Sequence, residues 1–118
     1  EGVYLVSILS LPCIINVRKL KDSLASAAQL TNGRLQVVAN RFEKKAQVSL
    51  AEANRILGQD ISTIIPNNYT LAMTAINNGK TVAEVAKKSN IAKVYHDLAD
   101  SVMETGLEKQ RGLLGWFR

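Results

Sequence analysis

A β-branched run that stops at a proline and restarts as a helix sets the strongest constraint on this chain. Ile61-Ser62-Thr63-Ile64-Ile65 has the composition of a short buried strand. Pro66 ends it, because proline has no N–H to give to a strand ladder. Asn67 and Asn68 follow, with side chains suited to folding back on local backbone and capping the next segment. Leu71, Ala72, Ala75 and Ile76 then recur at helical spacing, and Gly79 stands where a helix-ending glycine belongs. In open parallel sheets, ligands bind where strand ends meet helix starts. Pro66 to Asn68 is therefore the first place to look for a site.

The same alternation runs through the rest of the chain. Val3 to Leu9 reads as a strand that needs cover on both faces. Leu11-Pro12 opens a helix whose apolar side carries Ile14, Ile15, Val17, Leu20, Leu24 and Ala28, with Arg18, Lys19, Lys21 and Asp22 outward. Thr31-Asn32-Gly33 closes it. Leu35 to Asn40 is the second strand. Ser49-Leu50-Ala51-Glu52 is a capping box that starts a helix ending at Leu57-Gly58. The third strand spans Asp60 to Ile65, and its helix Asn68 to Asn77. A second capping box, Thr81-Val82-Ala83-Glu84, starts a short helix that Ser89-Asn90 stops. From Asn90, the set Ile91, Val94, Tyr95, Leu98, Val102 and Met103 predicts an amphipathic closing helix, broken at Gly106.

Strands alternating with helices predict right-handed crossovers and a parallel sheet, so the fold class is α/β. The expected architecture is three strands with helices on both faces. Three are few for such a sheet, and the first begins almost at Glu1. The expectation is the C-terminal portion of a larger parallel-sheet domain over residues 1–105, followed by a basic amphipathic tail, 106–118.

Composition excludes several classes. A hydrophobic share of 47% with mean hydropathy 0.00 exceeds what a disordered chain carries. Fifteen basic against ten acidic residues give +5, but the basic residues are scattered. Pairs such as Lys44-Lys45 and Lys87-Lys88 suit solvated faces better than a nucleic-acid surface. The single cysteine, Cys13, leaves no internal disulfide and no cysteine-built metal site, and suits a reducing cytoplasm. No signal peptide and no apolar run of membrane-spanning length is visible.

Most motif candidates fail on spacing. Gly79-Lys80-Thr81 resembles the end of a phosphate loop, yet Thr74 holds the position of its first glycine and a helix precedes it. It reads instead as a helix C-cap followed by an N-cap. His96, the single histidine, falls on the polar face of the closing helix without a nucleophile and is given to solvent. No carboxylates pair at a spacing that suggests acid–base work or a metal. Asn40-Arg41 differs, because it follows the second strand, level with Pro66-Asn67 on the neighbouring one. An asparagine amide offers one donor and one acceptor, which matches the N6/N7 edge of adenine. The competing reading is an ordinary turn asparagine; two such turns on one sheet edge narrow the gap.

Taken together, Ser10-Leu11-Pro12 with Asn16, Arg18 and Leu20, Val38-Ala39-Asn40-Arg41-Phe42, Ser49-Leu50, Ile65-Pro66-Asn67-Asn68-Tyr69 and Ala75-Ile76-Asn77-Asn78-Gly79 resemble the C-terminal half of a MinD/ParA-type P-loop ATPase. The nearest branch is CpaE/TadZ, from Flp/Tad pilus assembly. The resemblance implies an ATP site in which Asn40 contacts adenine, Arg41 flanks the pocket, and Pro66 and Asn67 approach the base through their backbone. Mg2+ and phosphates would be held by Walker segments upstream of Glu1. It further implies a homodimer working with pilus and secretion proteins in the cytoplasm, at the inner membrane or a cell pole, rather than with nucleic acid. A non-catalytic scaffold, or a ParA-like partition or flagellar-placement ATPase, stays open as an alternative. Two positions depart from the pattern: Asn68 replaces an aspartate, and Ile15 replaces an arginine. The tail places Leu113, Leu114, Trp116 and Phe117 among Lys109, Arg111 and Arg118, a composition suited to a membrane interface.

Overall fold

The structure, a computed structural model, describes the backbone of residues 2–28 and 34–116, with side chains over 2–27 and 34–103. The expected turn Thr31-Asn32-Gly33 lies outside the described residues. Elements follow in the order β1 (Val3–Ser7), α1 (Leu11–Ala28), β2 (Leu35–Phe42), α2 (Leu50–Leu57), β3 (Thr63–Pro66), α3 (Tyr69–Asn77), α4 (Val82–Val85) and α5 (Asn90–Trp116). They fall into two compact units, Glu1–Tyr69 and Thr70–Arg118.

In the first unit the three strands form one sheet in the order β1-β2-β3. Both pairings are parallel, with Val3 opposite Leu35 and Val38 opposite Thr63. Strands that advance in one direction through right-handed crossovers put their connecting helices on the same face. That is what packing delivers: Ile14 and Val17 from α1, Ala53 and Leu57 from α2, and Leu35, Val37 and Ala39 from β2 form one core. The buried stripe of α1 is Ile14, Val17 and Leu24, whereas Ile15 and Leu20 stay exposed to its sides. Lys21, expected outward, lies on that stripe. Its Nζ donates to the carbonyl of Leu57 at 2.7 Å, satisfying the C-terminal end of α2.

Local chemistry sets the ends of α2. Ser49 Oγ accepts from the Glu52 N–H while the Glu52 carboxylate accepts from the Ser49 N–H, the reciprocal box anticipated from the sequence. Gly58 then turns the chain at φ 72°. The third strand starts later than expected. The Ile61 N–H donates to Asn54 Oδ1 at 3.0 Å, and both Ser62 N–H and Oγ donate to the Val37 carbonyl, so Asp60 to Ser62 feed into the sheet as a hydrogen-bonded loop.

In the second unit, α3 ends in a Schellman turn: the Lys80 N–H donates to Ala75 O and the Gly79 N–H to Ile76 O, with Gly79 at φ 62°. Thr81 and Glu84 form the second capping box at the start of α4. Gly79 and Thr81 therefore close one helix and open the next, as expected. The closing helix does not break where expected: α5 continues through Gly106 to Trp116. A glycine costs a helix interior about 1 kcal/mol and does not forbid it. Among the described residues, no helix is long and apolar enough to cross a membrane.

Candidate functional site

Parallel pairing brings the C-terminal ends of β1, β2 and β3 to one edge of the sheet. There β2 departs from regular geometry. Ala39 lies opposite Ile64 and Phe42 opposite Pro66, so β2 uses one residue more than β3 over the same span. The extra residue falls at Asn40-Arg41, a bulge. Among the described non-glycine residues, Arg41 alone has a positive φ, 52°. That conformation costs an L-residue about 1–2 kcal/mol.

The bulge has a definite packing effect. In a regular strand, residues an odd number apart point to opposite faces. Here Ala39 is buried in the core beneath the helices, and Phe42 packs against the same core. The extra residue resets the alternation so that Phe42 anchors the end of β2. Arg41 is thereby exposed, while Asn40 stays half-buried. Its side-chain amide makes no hydrogen bond to the described residues, so its donor and acceptor are both available.

The neighbouring turn is fixed differently. The Asn67 N–H donates to the Phe42 carbonyl at 3.0 Å, tying the end of β3 to the end of β2. Asn67 Nδ2 donates to Glu43 Oε1 at 2.5 Å. This side chain was expected to cap α3; it is committed across the two strand ends instead. Pro66 has no N–H and the Asn67 N–H is given to Phe42, so the main chain of Pro66-Asn67 can offer a ligand its carbonyls. Asn40, Arg41, Pro66 and Asn67 are thus gathered on one edge as the sequence suggested. Glu43 was missed, because its role depends on a register shift that has no sequence signal of its own.

The other candidates lie elsewhere. His96 is exposed on α5 and pairs with Asp100, Nδ1 to Oδ2 3.1 Å, in an ordinary one-turn helix contact. His96, Asp97 and Asp100 could reach a common ion, but all three are exposed. The side chains of Leu113, Leu114 and Trp116, and the whole of Phe117, lie outside the described residues.

No protein-family model matches the sequence, and no curated protein matches it significantly. Solved structures do match. A ParA family ATPase from Chlorobium tepidum TLS is similar at TM-score 0.75 with 22% identity, over 84% of this chain and 41% of that one. The MinD cell division protein of Aquifex aeolicus gives TM-score 0.72 at 20% identity, covering 88% and 44%. A chain of the MinC:MinD cell division protein complex of Aquifex aeolicus gives 0.73 at 20%, covering 88% and 43%. The chain spans about two fifths of those structures. Its three-stranded parallel sheet with helices is the fold of part of a ParA/MinD-type P-loop ATPase domain.

Proposed function

We propose that this chain supplies the adenine side of the nucleotide site in a MinD/ParA-like ATPase of the CpaE/TadZ type, acting in the assembly and placement of a Flp/Tad pilus. The observation that carries the nucleotide reading is the uncommitted, half-buried amide of Asn40 at a bulged strand end, beside a turn held by the hydrogen bond from Asn67 N–H to Phe42 O. An amide in that position accepts from the adenine amino group and donates to ring nitrogen N7, which selects adenine over guanine. Pro66-Asn67 contributes backbone carbonyls to the base, since Pro66 has no N–H and the Asn67 N–H is held by the Phe42 carbonyl. Arg41, exposed and pinned by the bulge, flanks the opening.

ATP binds with Mg2+, whose ligands and phosphate loop belong to segments other than these residues. The pilus assignment rests on the order and spacing of the motifs from Ser10-Leu11-Pro12 to Asn77-Asn78-Gly79. In this reading the protein is a homodimer that works with pilus and secretion proteins from the cytoplasm, at the inner membrane or a pole. Calorimetry on the intact ATPase domain tests the site. Asn40→Ala should weaken ATP binding by about 1–3 kcal/mol, up to about a hundredfold in affinity. His96→Ala should leave binding unchanged. The reverse pattern would move the site off this edge of the sheet.

A further inference from the structure

The ends of β2 and β3 are joined at two points, and both joints meet one residue, Asn67. Its N–H donates to the Phe42 carbonyl at 3.0 Å, and its Nδ2 donates to Glu43 Oε1 at 2.5 Å. A single hydrogen bond leaves a loop free to pivot about it, whereas two from one residue fix its orientation. The first sets the plane of the Pro66–Asn67 peptide, because a peptide unit is rigid. The second sets the Cα frame of Asn67, from which the next carbonyl projects. Glu43 is itself anchored on both sides. Phe42 before it packs against the core, and the Glu43 carbonyl accepts from the Ala46 N–H at 3.1 Å. An exposed carboxylate thus reaches across to the turn from a fixed backbone.

On the nucleotide reading proposed above, the turn meets the base through carbonyls. A carbonyl only accepts, so it favours the N6 amino group of adenine and repels an oxygen at the same place. The Asn40 amide discriminates less sharply. Rotated by half a turn, it brings a donor to O6, at the cost of turning its own oxygen on N7. A carbonyl held in place has no second state of this kind. Its preference lasts only while its position is fixed, since a turn free to swing lets water stand between carbonyl and base.

We infer that Glu43 is a positioning residue for base specificity: by holding Asn67 it keeps the turn set for a purine with an amino group at position 6. The inference rests on the nucleotide reading, and all its residues lie in the first unit. Glu43 acts through Asn67 and touches no part of the nucleotide.

Calorimetry on the full-length protein tests this with ATP and ITP, whose bases carry an amino group and an oxygen respectively at position 6. Glu43→Ala should weaken ATP binding about fivefold and ITP binding less than about twofold, so that the preference for ATP shrinks. Glu43→Gln keeps an acceptor at Oε1 and should hold the preference within about twofold of wild type. Asn67→Ala should reproduce Glu43→Ala, and the double variant should add nothing to either. Lys45→Ala, a neighbouring charge removed, should change neither affinity. Equal losses for ATP and ITP in Glu43→Ala would reduce Glu43 to a structural role and overturn the inference. So would a loss in Glu43→Gln as large as in Glu43→Ala, which would assign the effect to charge, or additive effects of Glu43→Ala and Asn67→Ala. Unchanged ATP affinity in Glu43→Ala would overturn it too, and Asn40→Ala then locates the failure. If Asn40→Ala still weakens ATP binding, the nucleotide site stands and only the role of Glu43 falls. If neither variant matters, or wild type binds no ATP, both fall together.

Discussion

Arg41 holds an unfavourable backbone conformation because Phe42 must return to the core after Ala39 has already pointed into it. The cost is local, and glycine there removes it. Arg41→Gly should leave stability unchanged or raise it by up to about 1 kcal/mol, since relief of the left-handed strain is partly offset by glycine's greater unfolded freedom. Arg41→Val, branched at Cβ, should lose about 1–2 kcal/mol. Urea midpoints of the two variants decide it, and equal losses in both would mean that the arginine side chain, not its backbone, matters here. Asn40 and Pro66-Asn67 were legible as candidates because each directly follows a segment that reads as a strand. The partnership of Asn67 with Glu43 was not. It joins two loops whose alignment is set by one extra residue in β2, and nothing in the letters Asn-Arg-Phe announces that residue.

Elements whose ends are decided within a few residues were read well, and those decided by distant partners were not. Both capping boxes and both glycine C-caps formed where expected, since each needs only neighbours three to six positions away. Ser49→Ala should therefore cost about 1 kcal/mol and Ser49→Asp much less, read as denaturation midpoints. By contrast, the start of β3 is set by Val37 and Asn54, and the exposure of Ile15 and Leu20 by what α1 packs against. Periodicity alone counted both as inward. The central strand has partners on each side, with Val37 and Ala39 fully buried and Val38 1% exposed. Its amides should show the slowest hydrogen exchange in the first unit. Faster exchange there than in β1 would contradict the strand order.

For the whole molecule, the parallel α/β class followed from strand–helix alternation, while the division into units did not, because no linker composition marks Tyr69-Thr70. The 118 residues contain no glycine-rich loop of the G-x-x-x-x-G-K-[ST] kind. By themselves they should release no phosphate from ATP above the enzyme-free rate. Steady release that Asn40→Ala abolishes would show a phosphate site that neither sequence nor geometry discloses. The register of β1 carries a further consequence, one of timing. Val3 cannot pair until Leu35 exists, and parallel strands have no hairpin shortcut. At typical synthesis rates the interval between those two residues is about two to six seconds. Over that time β1 lacks its β2 partner, and even in the finished fold Tyr4, Val6 and Ile8 stay exposed. The apolar stretch from Val3 to Ile8 is thus one that a nascent-chain chaperone, binding short apolar stretches, would hold until Leu35 to Ala39 arrive.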